Sequence, residues 1–357
     1  MTVLNKVLIL YTGGTIGMIQ TPNGYEPDAN FPNKIRADIS PIIDAQMPRF
    51  DILSMDPLLD SSNMNPQNWD KIVKIIDENR KRYKGFVILH GTDTMAYTAS
   101  ALGFMLAGIN NNVIITGSQV PYSRLRNDAR ENLISSLIIC GNYSIPEVAL
   151  YFNNKLLRGC RTTKTDASAF DAFESPNLPP LADIGVNINL KRQWSYSIQL
   201  KKELIQNKLK RTKPIEYFRQ ENQKTPDEIA VLKLFPGISA RFVEHFITEE
   251  VKGVVIEAYG AGNGPTKSVN PNLFKALKNA SEHTVLIAVT QCLRGCVHLD
   301  SYAASLKAAG VISGHDMTLE AAVTKLYYLI SKQGYSIEKV KSLMGKNLIG
   351  EMSNSTN

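Results

Sequence analysis

Short unbroken apolar runs alternate with amphipathic stripes along most of the chain. Residues 7–11 (Val-Leu-Ile-Leu-Tyr) predict a strand buried on both faces, because parallel strands covered by helices lose the polar alternation of a half-exposed strand. Asn65 and Pro66 supply a helix N-cap and a first-turn proline. Trp69, Ile72, Val73 and Ile76 then repeat at the spacing of one helix face. Gly85 precedes a second buried run at 86–90, and helical residues follow from about Asp93 to Leu106, with Gly108 as a stop. A strand at 113–117, a helix near 129–139 and a strand at 148–152 continue the alternation. Strand-helix repetition of this kind predicts a parallel sheet with helices on both faces.

The pattern weakens between about 189 and 227, then resumes. Strands are expected at 229–235, 254–256 and 285–290, with helices from about Ser239, over 271–279, and twice more towards the end. The expected fold is therefore α/β with two domains, a larger N-terminal one built on a mostly parallel sheet and a smaller C-terminal one. Residues 1–190 form the first, 191–228 a basic connector and 229–357 the second. The tail beyond Gly350 is expected to fray.

Composition narrows the class. Of 357 residues, 43% are hydrophobic and 20% charged, which fits a globular protein and excludes a disordered one. No apolar run approaches the roughly 20 residues that span a bilayer. The first run passes directly into Thr12-Gly13-Gly14, without the longer apolar core and small-residue site of a signal peptide, so a cytoplasmic location and no membrane partner are expected. The net charge of +7 could suggest nucleic acid, but much of the excess sits between Lys191 and Lys213 against the single acid Glu203. One basic segment reads as a solvated connector rather than a groove reader, and no nucleic-acid partner is expected. Four cysteines make no disulfide framework. Cys292, Cys296 and His298 lie close together without a second ligand pair, so no metal is expected and the two thiols are read as core residues.

Ligands of open parallel sheets bind beyond the carboxyl ends of the strands. Three loops hold that position: Thr12-Gly13-Gly14-Thr15-Ile16-Gly17, His90-Gly91-Thr92-Asp93-Thr94 and Thr116-Gly117-Ser118-Gln119. Each joins glycine, which lets backbone amides approach a ligand, to hydroxyl side chains. Gly13, Gly14 and Gly17 lack the dinucleotide spacing, and no lysine follows as in a P-loop. There is no G-x-S-x-G elbow, and the S-x-x-K match at Ser336 to Lys339 lies in a helical pattern near the end. A threonine hydroxyl remains as nucleophile, weak until a base or a lysine activates it. Taken singly the loops stay ambiguous: Thr12 and Thr15 could bond local amides, Asp93 could cap the helix behind it, and Lys164 could be a surface charge.

Taken together, Thr12-Gly13-Gly14-Thr15-Ile16-Gly17 and His90-Gly91-Thr92-Asp93-Thr94 resemble the paired signature of the bacterial L-asparaginases. The resemblance covers nearly the whole chain. Arg161-Thr162-Thr163-Lys164, Ser175-Pro176-Asn177-Leu178-Pro179-Pro180 and Tyr259-Gly260-Ala261-Gly262-Asn263 are similar to the cytoplasmic type I branch. It implies hydrolysis of L-asparagine to L-aspartate and ammonia without metal or organic cofactor. Thr15 matches the nucleophile that forms an acyl-enzyme ester. Thr92, Asp93 and Lys164 match the second hydroxyl, carboxylate and lysine, and Tyr25 matches the tyrosine of a loop that closes over substrate. Asp60, Ser61 and Ser62 match the segment that holds the substrate carboxylate, while Asp93 suits its ammonium. Asn263 matches a residue donated across a dimer interface, so a homodimer or dimer of dimers is implied. Thr163, Glu257, Tyr259 and Cys292 match positions of a second, activating asparagine site in some type I members. The resemblance breaks at Glu257, where those members carry arginine, and a reversed charge there argues against activation. Two other readings are disfavoured. The amidotransferase subunit that feeds ammonia to aminoacyl-tRNA on the same core usually carries an extra N-terminal domain, whereas the first strand is expected here by about Val3. A catalytically silent amino-acid sensor would have no need of Thr15, Tyr25, Thr92, Asp93 and Lys164 together.

Overall fold

The computed structural model describes residues 6–41, 44–191, 193, 228–265, 267–301 and 306–353. The connector expected at 191–228 lies almost wholly outside them. The chain divides into two compact units, Met1–Tyr217 and Phe218–Asn357.

The strands of the first unit, in chain order, are β1 (Lys6–Gly13), β2 (Met18–Thr21), β3 (Gly24–Pro27), β4 (Arg49–Leu59), β5 (Gly85–Leu89), β6 (Asn112–Thr116), β7 (Val148–Phe152), β8 (Lys155–Arg158), β9 (Thr163–Lys164), β10 (Phe173–Glu174), β11 (Ala182–Ile184) and β12 (Ile188–Leu190). Its helices are α1 (Phe31–Ile39), α2 (Pro66–Asn79), α3 (Met95–Met105) and α4 (Ala129–Asn142). The main sheet runs β12-β11-β8-β7-β6-β5-β1-β4. Pairing is parallel from β4 through β7 and antiparallel from β7 to β12, so the sheet is mixed, with a parallel core.

Because side chains alternate across a strand, Val7, Ile9, Tyr11, Val87 and Leu89 share one face and pack with residues of α1 and α4. Leu8, Leu10, Phe86 and Ile88 are buried on the other face, the side on which α2 and α3 pack together. The α2 boundary is the one its sequence predicts. The Asn65 side chain accepts from the Asn68 amide, the Asn68 side chain accepts from the Asn65 amide, and Pro66 follows the cap.

The second unit holds a parallel sheet, β13 (Ile229–Lys233), β14 (Gly253–Ala258), β15 (Val285–Thr290) and β16 (Ile312–Ser313), in that order. Its helices are α5 (Ala240–Phe246), α6 (Pro271–Ala280), α7 (Leu319–Ile330) and α8 (Ile337–Met344).

Two expectations are overturned here. The chain beyond Gly350 is not frayed up to Ser353: Glu351 is fully buried and paired with Lys325 of α7 at 2.6 Å, and Met352 is buried. The amide and hydroxyl of Ser353 donate to the Asp316 carboxylate at 2.8 and 2.6 Å. Cys292 is exposed and Cys296 half-buried, so they are not core thiols; both stand in the loop that leaves β15, beyond the sheet's packed faces. Cys140 and Cys160 are the buried ones. Ser336 is the N-cap of α8 and accepts from the Lys339 amide, which accounts for the S-x-x-K match as a helix start.

Candidate active site

The loops after β1 and β5 meet through their glycines. Gly14 has φ +84, and a Cβ there would lie 2.3 Å from the Gly91 nitrogen, so only glycine lets the two backbones touch. A Cβ on Gly91 would lie 2.5 Å from Ser61 Oγ and 3.3 Å from Gly14 Cα. This close packing sets Thr15, Ser61 and Thr92 side by side in the chain's first unit, each one residue from, or in contact with, the Gly14–Gly91 junction.

The two threonines of the first loop divide their roles. Thr12 is buried and donates its hydroxyl to the Leu89 carbonyl at 2.8 Å, tying β1 to β5. Thr15 opens a short 3₁₀ turn (Thr15–Gly17), is partly exposed, and its hydroxyl has no hydrogen-bond partner among the described residues. It is not occupied as a cap.

Thr92, Asp93 and Lys164 are brought together. Lys164 Nζ lies 2.9 Å from Thr92 Oγ1 and 2.8 Å from Asp93 Oδ1. The lysine is placed by β9, which pairs antiparallel with β10, Lys164 opposite Phe173. Buried Arg161, just before β9, donates to the Asn177 carbonyl at 2.9 Å and ties this turn to the following loop. Asp93 does not cap the helix behind it: the cap residue of α3 is Thr94, whose hydroxyl instead donates to the Ser61 carbonyl at 2.7 Å. The Asp93 side chain is 66% exposed and that of Lys164 20%, so the pair is open to solvent and contributes little to stability. Its significance is chemical. An ammonium held by a carboxylate donates to a hydroxyl and polarises it.

The Thr92 hydroxyl has a second neighbour that the motifs alone did not single out. It donates to Gln119 Oε1 at 3.2 Å, and Gln119 Nε2 is fixed in turn by the Ala169 carbonyl at 3.1 Å. Gln119 is held from behind as well, because the Gln119 and Val120 amides donate to the buried Asp128 carboxylate. Its place in the glycine-hydroxyl loop after β6 was the available signal.

Asp60 and Ser62 form a small turn, with the Ser62 amide donating to Asp60 Oδ1 at 3.0 Å; both side chains are exposed, whereas Ser61 is buried. Tyr25 stands on the β2–β3 hairpin, opposite Gln20, 48% exposed and without a hydrogen bond among the described residues. Among the described residues no group of three or more His, Cys, Asp or Glu side chains is placed to hold a metal ion, and no helix is long and apolar enough to cross a membrane.

Of the positions matched to a second site, Thr163 adjoins Lys164, whereas Glu257, Tyr259 and Cys292 belong to the second unit. Glu257 lies opposite Lys233 across β13 and β14, with Nζ and Oε1 3.7 Å apart. Tyr259 and Asn263 close a tight turn by reciprocal backbone bonds of 2.9 and 2.8 Å, and the Cys292 amide donates to Thr290 Oγ1 at 3.0 Å.

Residues 6–196 match the family described as Asparaginase, N-terminal, and residues 228–344 match the Glutaminase/Asparaginase C-terminal domain. The chain is 42% identical over 350 residues to L-asparaginase 1 of Escherichia coli strain K12, covering 97% of this chain and 98% of that one. It is 39% identical over 370 residues to the 60 kDa lysophospholipase of Mus musculus, covering 97% of this chain and 62% of that one. The crystal structure of L-asparaginase I from Vibrio cholerae is similar with a TM-score of 0.83 at 42% identity, covering 98% of this chain and 99% of that one.

Proposed function

The chain belongs to the asparaginase family, and from that premise we propose that it is an L-asparaginase working through a threonine ester. It hydrolyses L-asparagine to L-aspartate and ammonia. The Thr15 hydroxyl attacks the side-chain amide carbon, and its proton passes to the departing nitrogen with help from Tyr25 once the β2–β3 hairpin has closed. The Thr92 amide receives the oxyanion, where preorganised donors act most strongly. Water then attacks the ester carbon as its proton is relayed through the Thr92 hydroxyl, which Lys164 and Asp93 polarise and which passes its own proton on to Thr15 Oγ1; the acyl carbon–Oγ1 bond breaks, aspartate leaves and Thr15 is restored. Asp93 pairs with the substrate ammonium. Ser61 and Ser62, in the turn braced by Asp60, hold its carboxylate. Asn263 is assigned to the site of a second copy in a homodimer or dimer of dimers, and the protein to the cytoplasm. Glu257, beside Lys233, argues against an activating asparagine site at Thr163, Tyr259 and Cys292.

One observation carries this reading: a lysine more than 70 residues downstream lies within 2.9 Å of Thr92 and 2.8 Å of Asp93, residues of a loop packed against the one that carries Thr15, whose hydroxyl has no partner among the described residues. Purified protein given L-asparagine without tRNA is expected to release ammonium steadily, followed by a coupled assay. Saturable asparagine binding with no ammonium would replace the hydrolase by a sensor.

A further inference from the structure

Behind the Thr92 loop, three buried side chains form a hydrogen-bond relay that the chemistry above does not use. Trp69 Nε1 donates to Thr98 Oγ1 at 2.9 Å, Thr98 Oγ1 lies 2.9 Å from His90 Nε2, and His90 Nδ1 lies 2.7 Å from the Gly91 carbonyl oxygen. All three residues are buried. Counting donors fixes every proton. A carbonyl only accepts, so Nδ1 carries the ring hydrogen. Desolvation pushes the His90 pKa down to about 4, which keeps the ring neutral and leaves a lone pair on Nε2. The Thr98 hydroxyl therefore donates to Nε2 and keeps its own lone pairs for the Trp69 N–H. One tautomer satisfies the whole relay.

The relay ends on a peptide unit. The Gly91 carbonyl and the Thr92 N–H belong to the same planar trans amide and point in opposite directions. A glycine flank leaves that amide free of the steric limits a side chain would impose, so something else must hold it. We propose that His90 is a positioning residue: locked by Thr98 as the Nδ1–H tautomer, it pins the Gly91 carbonyl and so aims the Thr92 amide at the developing oxyanion. The proposal deepens the asparaginase reading and rests on it for the oxyanion's identity.

The test compares His90→Leu, which fills the volume without a donor, with His90→Asn, whose side-chain amide nitrogen takes the place of Nδ1. Full loss of one oxyanion donor typically costs about 100- to 1,000-fold, and a misaimed donor a part of that, so kcat for asparagine is expected to fall about 10- to 100-fold in His90→Leu. KM should stay within about 3-fold, because the interaction is made in the transition state and not in the ground state. His90→Asn should recover most of the lost kcat. Wild-type kcat in His90→Leu, or equal losses in both variants, would overturn the proposal. If His90→Leu does not fold, Thr98→Val serves instead, with an expected kcat loss of about 3- to 10-fold at unchanged KM. No kcat loss there would count equally against the relay. Long-range ¹H–¹⁵N correlation of the imidazole, which needs no activity, should show the Nδ1–H form; the Nε2–H form would refute it. A wild-type protein that releases no ammonium fails the asparaginase reading itself, whereas an active wild type with a silent His90→Leu fails the relay alone.

Discussion

Thr15→Ala is expected to lower ammonia release from L-asparagine by about 10,000-fold or more, since removing a nucleophile also removes the activation its neighbours provide. The fold should survive. The Thr15 hydroxyl is partly exposed and has no partner among the described residues, so its loss falls in the class of substitutions worth about 0.5 kcal/mol or less. Asparagine binding, followed calorimetrically, should persist, because the ammonium and carboxylate contacts come from other residues. Thr12, three positions earlier in the same motif, has the opposite character: it is buried and bonded to Leu89, and belongs to the sheet rather than to the chemistry. A Thr15→Ala protein that turned asparagine over normally would remove Thr15 from its role.

The second large effect concerns stability and lies in the other unit. Lys325 and Glu351 are both fully buried, 2.6 Å apart. Lys325 also donates to the Met344 and Lys346 carbonyls at 2.9 and 2.5 Å, and Glu351 accepts the Leu348 and Ile349 amides. Removing one member leaves a charge stranded in a low-dielectric site, which typically costs about 3–5 kcal/mol. Lys325→Met is therefore expected to shift the urea midpoint of the C-terminal unit markedly downward, and Glu351→Gln to do the same. Together they should cost about 0.5–3 kcal/mol less than the sum, the coupling expected of groups in contact. Additive losses would mean that the two groups are stabilised independently.

The parts of the fold legible in the sequence were those whose physics is local. β1, β5, β6 and β7 announce themselves as apolar runs because both faces are covered. α2 does so through Asn65, Pro66 and its apolar stripe. β4 was not visible: Arg49–Leu59 mixes charges with Pro57, which a strand at the edge of the sheet, paired among the described residues with β1 alone, tolerates. The short antiparallel strands β8, β11 and β12 carry too few residues for a period. The glycine-hydroxyl loops could be read as one site because close backbone approach demands glycine. The tail at Glu351 and the relay from Trp69 through Thr98 to His90 could not, since each joins residues far apart in the chain through burial, and no motif encodes burial. Gln119 was visible as part of a loop, but its grip on the Thr92 hydroxyl depends on Asp128 and Ala169, which only folding brings near.

The central claim is that the acyl group of asparagine is carried on Thr15 while Lys164 and Asp93 prepare Thr92 for the water step. Acid-quenching the turning-over enzyme and mapping its peptides by mass spectrometry tests this directly. An ester-linked aspartyl group on the peptide spanning residues 12–17, assigned to Thr15 by fragmentation, is the expected result. The same group on Thr92, with Thr15 unmodified, would contradict it.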